Sequence, residues 1–267
     1  MKIRAIAWNT FGSFSRNKLI LLVSAIFLCV LMVFSTPLMA VKSAGQTMSA
    51  GQAQGMVLSM VSLIMSMVSG FGSLLAAWAA ADAVAGEVRS GTILAVMARP
   101  IRRWEFLLGK YLGVQMLMAV YLLFLLATTY LFGWIGGQRI QASPWILIVY
   151  PMVRYAIYSA IAIFLVTVMH PIVAFGITVV ISVLIGMVTP PLDAHSFLPV
   201  WLQRALYAVL PSTGLVSEGK FLAITQSSLQ KTPWTDHLTA LAYGVDYALV
   251  FVLLAVWLFR HRSLARE

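Results

Sequence analysis

Seven of the 26 charged side chains fall in one stretch of 24 residues, EVRSGTILAVMARPIRRWEFLLGK, from Glu87 to Lys110. Carboxylates and guanidiniums gathered this way can make charge-assisted hydrogen bonds to a docked partner. They are not a set for bond-breaking chemistry. The histidines, 170, 195, 237 and 261, form no spaced pair and no H-E-x-x-H, so neither a metal hydrolase site nor a nucleophile–base pair can be drawn. Met56, Met60, Met65 and Met67 could offer thioethers to Cu(I). Methionine at this density is ordinary filler in apolar helices. No G-x-x-x-x-G-K-[ST] occurs, so the chain has no loop of that kind to cradle ATP. What remains is recognition, and the question is which elements hold the charged stretch in place.

The chain of 267 residues is 61% hydrophobic and 10% charged, well below the ~25% charge of soluble domains. The fold class expected is an all-α polytopic membrane protein of six transmembrane helices forming one domain over residues 1–267. The spans expected are 19–40, 56–84, 106–134, 146–169, 171–189 and 238–259. Each is close to the ~20 residues that cross a bilayer. Proline places the turn between the fourth and fifth at Met169–Pro171. Cys29, the only cysteine, excludes an internal disulfide. Residues 1–17 carry Ile3, Ile6, Ala7, Phe11 and Phe14 at helical spacing, opposite Lys2, Arg4, Asn9 and Arg16. This is an amphipathic helix lying along the membrane interface. The loop 190–237 holds FLPVWLQRALYAVLP, read as an interfacial or re-entrant helix.

With six spans both termini share one side. That side carries twelve Lys and Arg residues and the other five. The positive-inside rule then places both termini in the cytoplasm of a bacterial cell membrane. The charged basic clusters lie between apolar runs, which argues for membrane topology and against nucleic acid as partner.

Orientation also makes 87–105 a cytoplasmic loop. Glu87 and Arg89 end the second span. Ser90, Gly91 and Thr92 break it and offer an N-cap. Ile93, Val96 and Met97 share a face of a short helix, Pro100 ends it, and Arg99, Arg102 and Arg103 flank it. Exposed apolar residues on such a helix need a partner.

The order of a glutamate (Glu87), Gly91–Thr92, an apolar turn, Pro100, Arg102–Arg103 and Lys110 resembles the type-2 ATP-binding-cassette (ABC-2) permeases. The amphipathic helix, six spans and long loop before the last span extend the resemblance to essentially the whole chain. It implies a transport subunit, not an enzyme, working with two soluble ABC ATPase subunits and a second permease copy, identical or paralogous, among membrane lipids. ATP and Mg would sit on the partner ATPase, with no cofactor in this chain. The loop helix would be the coupling helix, with Glu87, Arg89, Gly91, Thr92, Ile93, Val96, Met97, Arg99, Pro100, Arg102 and Arg103 meeting the ATPase.

Two charges fall deep within spans, Arg154 and Asp246. A lone charge at mid-bilayer costs ~3 kcal/mol or more, and both lie at similar depth in the outer half. The expectation is an ion pair between the fourth and sixth spans, serving either as a structural bridge or as a gate. Asp82, at the inner end of the second span, is expected to pair with a local arginine. Gly109 and Gly113 form a GxxxG that permits close helix approach. The apolar pathway points to an amphiphilic or lipid-like export substrate. Two alternatives stand beside it: the same fold relaying ATPase motion to an extracytoplasmic partner without transport, and a stand-alone secondary transporter using Asp246.

Overall fold

The computed structural model describes residues 2–18, 24–30, scattered positions between 22 and 36, 50–89, 102–135, 144–187, 199–211 and 234–261. Nearly all of these residues are helical, with no strand among them. The helices are α1 (Lys2–Ser15), α2 (Ala50–Arg89), α3 (Arg103–Ile135), α4 (Pro144–Val166), α5 (Pro171–Met187), α6 (Val200–Val209) and α7 (Trp234–His261). Four of the described helices are long and apolar enough to cross a membrane: 55–86 in α2, 103–135 in α3, 145–166 in α4 and 234–260 in α7. α5 is apolar but only 17 residues long. Of the expected first span, 24–30 is described as helix, with Phe27 buried against the rings of Phe71 and Tyr121 at 4.7 and 6.0 Å. Positions 22, 32, 33 and 36 are also helical, and the other residues of that span lie outside the described ones.

α4 is the hub, touching α2, α3, α5 and α7. Its tyrosines 150, 155 and 158 are among the largest fully buried side chains. A phenol in an apolar interior needs a partner for its hydroxyl. Tyr155 donates to the Val68 carbonyl at 3.0 Å, and Tyr150 shares a 2.7 Å hydrogen bond with His237 Nδ1. α2 meets α4 along a face rich in small residues. A side chain at Gly72 would overlap the Tyr155 hydroxyl. In a helix the residue four positions on covers a backbone carbonyl, so the bare Gly72 leaves Val68 O open to Tyr155.

Helix ends follow from local chemistry. Pro171 opens α5, where its missing N–H costs nothing, and the His170 carbonyl accepts from Ala174 N at 2.9 Å. α7 begins at Trp234, earlier than the expected 238, so Asp236 lies in its first turn, where a carboxylate suits the helix dipole. His237, read as a loop residue, is therefore helical and buried. It lies within 4.9 Å of the Trp145 ring, which stacks on Trp234 at 5.6 Å. α6 follows Pro199 and exposes Trp201 while burying Gln203.

Candidate functional site

The end of the bundle that carries Arg89, Arg103 and Arg260 gathers three elements. α3 starts there with half of a capping box: Arg102 precedes the first turn, and its backbone N–H donates to Glu105 Oε2 at 2.9 Å. The next residue, Arg103, reaches across to α7. Its Nη1 donates to the carbonyl oxygens of Phe259 and Arg260 at 3.0 and 3.1 Å. The last carbonyls of a helix have no partner within it, and a guanidinium also suits the negative end of the dipole. Phe106 stacks on Phe259 one turn further in, with centroids 6.2 Å apart.

α1 packs against the first turns of α3. A Cβ at Gly109 would come within 2.6 Å of Ile6 Cγ2 and 3.3 Å of the Ile3 carbonyl. One at Gly113 would come within 2.6 Å of Thr10 Cβ and 2.8 Å of the Ala7 carbonyl. As α3 advances by four residues, the contact on α1 also advances by four. The two helices thus run in the same sense at a shallow angle. Ala7, Thr10 and Phe14 are buried in this contact face, and Trp8 is left 65% exposed. Thr10 reaches such a position because its hydroxyl bonds back to the Ile6 carbonyl at 2.9 Å. Lys110, between the two glycines, is buried with its Nζ 5.6 Å from the Phe106 ring centre.

α3 is joined in turn to α4 by polar contacts. Gln115 Nε2 donates to Ser159 Oγ at 2.7 Å, and the Tyr111 hydroxyl donates to the Ala156 carbonyl at 3.3 Å. The end that gathers the basic residues is therefore a tied set, α1 on α3, α3 on α7 and α4.

Of the residues expected to meet a partner, Arg102 is exposed and Arg103 half-buried. Glu87 and Arg89 are described by backbone alone, on the last turn of α2. Gly91, Thr92, Ile93, Val96, Met97, Arg99 and Pro100 lie outside the described residues, and with them the expected coupling helix. Arg154 and Asp246 stand on neighbouring helices, α4 and α7. Arg154 Nη1 donates to Ser69 Oγ on α2 at 2.8 Å. Asp246 is exposed beside Val245, Leu249 and Val250, whereas α7 turns Ala248 and Val252 inward to the core. Asp82 is half-buried, and among the described residues it has no hydrogen-bond or ion-pair partner. No group of three or more His, Cys, Asp or Glu suited to a metal occurs among the described residues.

A bundle with four helices long and apolar enough to cross a membrane marks an integral membrane protein. The family model described as ABC-2 family transporter protein matches residues 4–264, and the chain belongs to that family. It is accordingly the membrane permease component of an ABC transporter, and membership implies association with ABC ATPase subunits. Comparison with curated proteins finds no match.

Proposed function

We propose that this chain couples ATP hydrolysis on two separate ATPase subunits to export of an amphiphilic or lipid-like substrate. It would act as one of two permease copies in a bacterial cytoplasmic membrane, with both termini in the cytoplasm. The observation that carries the reading is the tied set of helices at the basic end. The expected coupling segment connects α2 to Arg102, so a push on it is delivered to the root of α3. Arg103 passes that displacement to the end of α7, and the Gly109–Gly113 seat passes it to α1. The excess of Lys and Arg on this side supports a cytoplasmic position, the side on which ATP is hydrolysed. A permease needs bistable packing to turn such a shift into alternating access, and polar ties in an apolar bundle supply discrete contacts to break and remake.

The test is substrate-stimulated ATPase activity and transport by the complex reconstituted with its ATPase. Glu87→Gln and joint replacement of Arg99, Arg102 and Arg103 by Gln are expected to leave assembly and basal hydrolysis in place while transport falls. Unchanged transport in both variants would overturn the coupling role of this segment.

A further inference from the structure

α2 and α5 enclose a cleft of about 90 Å³ lined by Trp78, Ala81, Asp82, Pro171 and Ile172. From these groups we infer an ammonium-binding subsite for the head of a cationic amphiphile. The inference rests on the export reading and narrows its substrate class.

Trp78 and Asp82 are one helical turn apart on α2, so indole and carboxylate face the same way. Phe175 holds the indole in an edge-on contact at 5.2 Å and 86°. Ala81 leaves room between helices. Among the described residues no side chain donates to Asp82. The backbone facing it is the start of α5, whose first residue, Pro171, has no N–H to give. A carboxylate beside an aromatic face is complementary to ammonium, through charge-assisted contact and cation–π attraction. A cleft of this volume has room for a small ammonium head. Ile172, 62% exposed, continues the cleft to the outer surface of the bundle, where a chain could remain in lipid. Asp82 lies seven residues from Arg89 along α2, about 10 Å from the basic end, which is headgroup depth in the proposed orientation.

The experiment uses the full chain in zwitterionic lipid nanodiscs, titrated below micelle formation with octyltrimethylammonium, octyl glucoside and octyl sulfate. Empty nanodiscs supply the background. The wild type is expected to prefer the cationic probe over the uncharged one by about tenfold, the scale of one charge-assisted contact. Asp82→Asn should bring the two probes to parity, Asp82→Glu should retain most of the preference, and Trp78→Phe should weaken it partially. Thermal unfolding identifies variants that keep the fold. Parity in the wild type, or an undiminished preference in folded Asp82→Asn, would overturn the subsite. The first result would mean that the carboxylate serves α5 or an arginine of the chain itself. Failure of the export reading appears elsewhere: selective binding of the cation with no stimulation of the assembled ATPase leaves the subsite standing and counts against export. Stimulation indifferent to probe charge and to Asp82 does the reverse.

Discussion

Arg103 Nη1 donates to the carbonyl oxygen of Phe259 at 3.0 Å, fastening the first residue of α3 to the last turn of α7 across 156 positions of chain. The same nitrogen serves Arg260 O, so one cation closes two of the carbonyls that α7 cannot satisfy itself. Two otherwise separate helices thereby share an end.

Replacing Arg103 by Met should keep the aliphatic stem and remove the cap. Because the site is partly exposed, the loss expected is about 1–2 kcal/mol, at the lower end for hydrogen bonds involving a charged donor. Hydrogen exchange should report looser amides in the last turns of α7, and Arg103→Lys should recover part of the protection. Protection unchanged in Arg103→Met would show that stacking of Phe106 on Phe259 holds the two helices without the guanidinium.

The seat of α1 is more demanding. Gly113→Ala places a methyl within 2.8 Å of the Ala7 carbonyl, and backbone cannot step aside as a side-chain tip can. Overpacking of this kind costs about 1–3 kcal/mol. The bundle should survive while α1 detaches, because α2, α4 and α5 do not depend on this contact. Hydrogen exchange of the α1 amides should be slow in the parent and faster with Gly113→Ala. Equal protection would mean that α1 shifts along α3 without loss.

How much of this was legible in the sequence differs between elements. The all-helical membrane character follows from long runs without charge, because a bilayer admits few other solutions. The GxxxG was visible at Gly109 and Gly113, but not what it receives, since spacing marks a close approach without naming the neighbour. The amphipathic pattern of residues 1–17 marked an apolar face, yet the buried set includes Thr10, whose hydroxyl is satisfied locally and so carries no polar signature. Arg103 was read only as a basic residue facing a partner. Its role as a cap depends on where α7 ends in space, which no local pattern encodes. His237 was read as a loop residue because the helix was started at 238. The tryptophan three positions earlier, matched by Trp145 five before Tyr150, was the available hint of an aromatic cluster.

Arg154 should be sensitive to its neighbour on α2. Ser69→Ala removes the hydroxyl that accepts from Nη1 at 2.8 Å and leaves a charged donor short of one bond inside the span. A cost of about 1–3 kcal/mol is expected, read as a lower unfolding temperature in detergent. Ser69→Thr, which keeps an acceptor, should stay close to the parent. Equal losses for Ala and Thr would assign the effect to packing at that position.

The contact of Tyr155 with Val68 allows a double-mutant test of whether a missing side chain exposes the carbonyl. Tyr155→Phe removes the hydroxyl and its hydrogen bond, a loss of about 1 kcal/mol within a membrane bundle. Gly72→Ala should cost more, because the new methyl overlaps the phenol and must push it from the carbonyl. Combining the two substitutions should cost less than their sum, because the methyl at position 72 already displaces the phenol from the Val68 carbonyl and leaves the hydroxyl no bond to lose, whereas phenylalanine keeps the ring carbons the methyl meets. The expected coupling is at least about 0.5 kcal/mol, the range found for residues in direct contact. It is measured by thermal unfolding of the two single variants, the pair and the parent in one detergent. Strict additivity would mean that α2 and α4 separate as rigid bodies on Gly72→Ala. The α2–α4 seam would then be set by the whole row of small residues and not by the fit of one phenol into one gap.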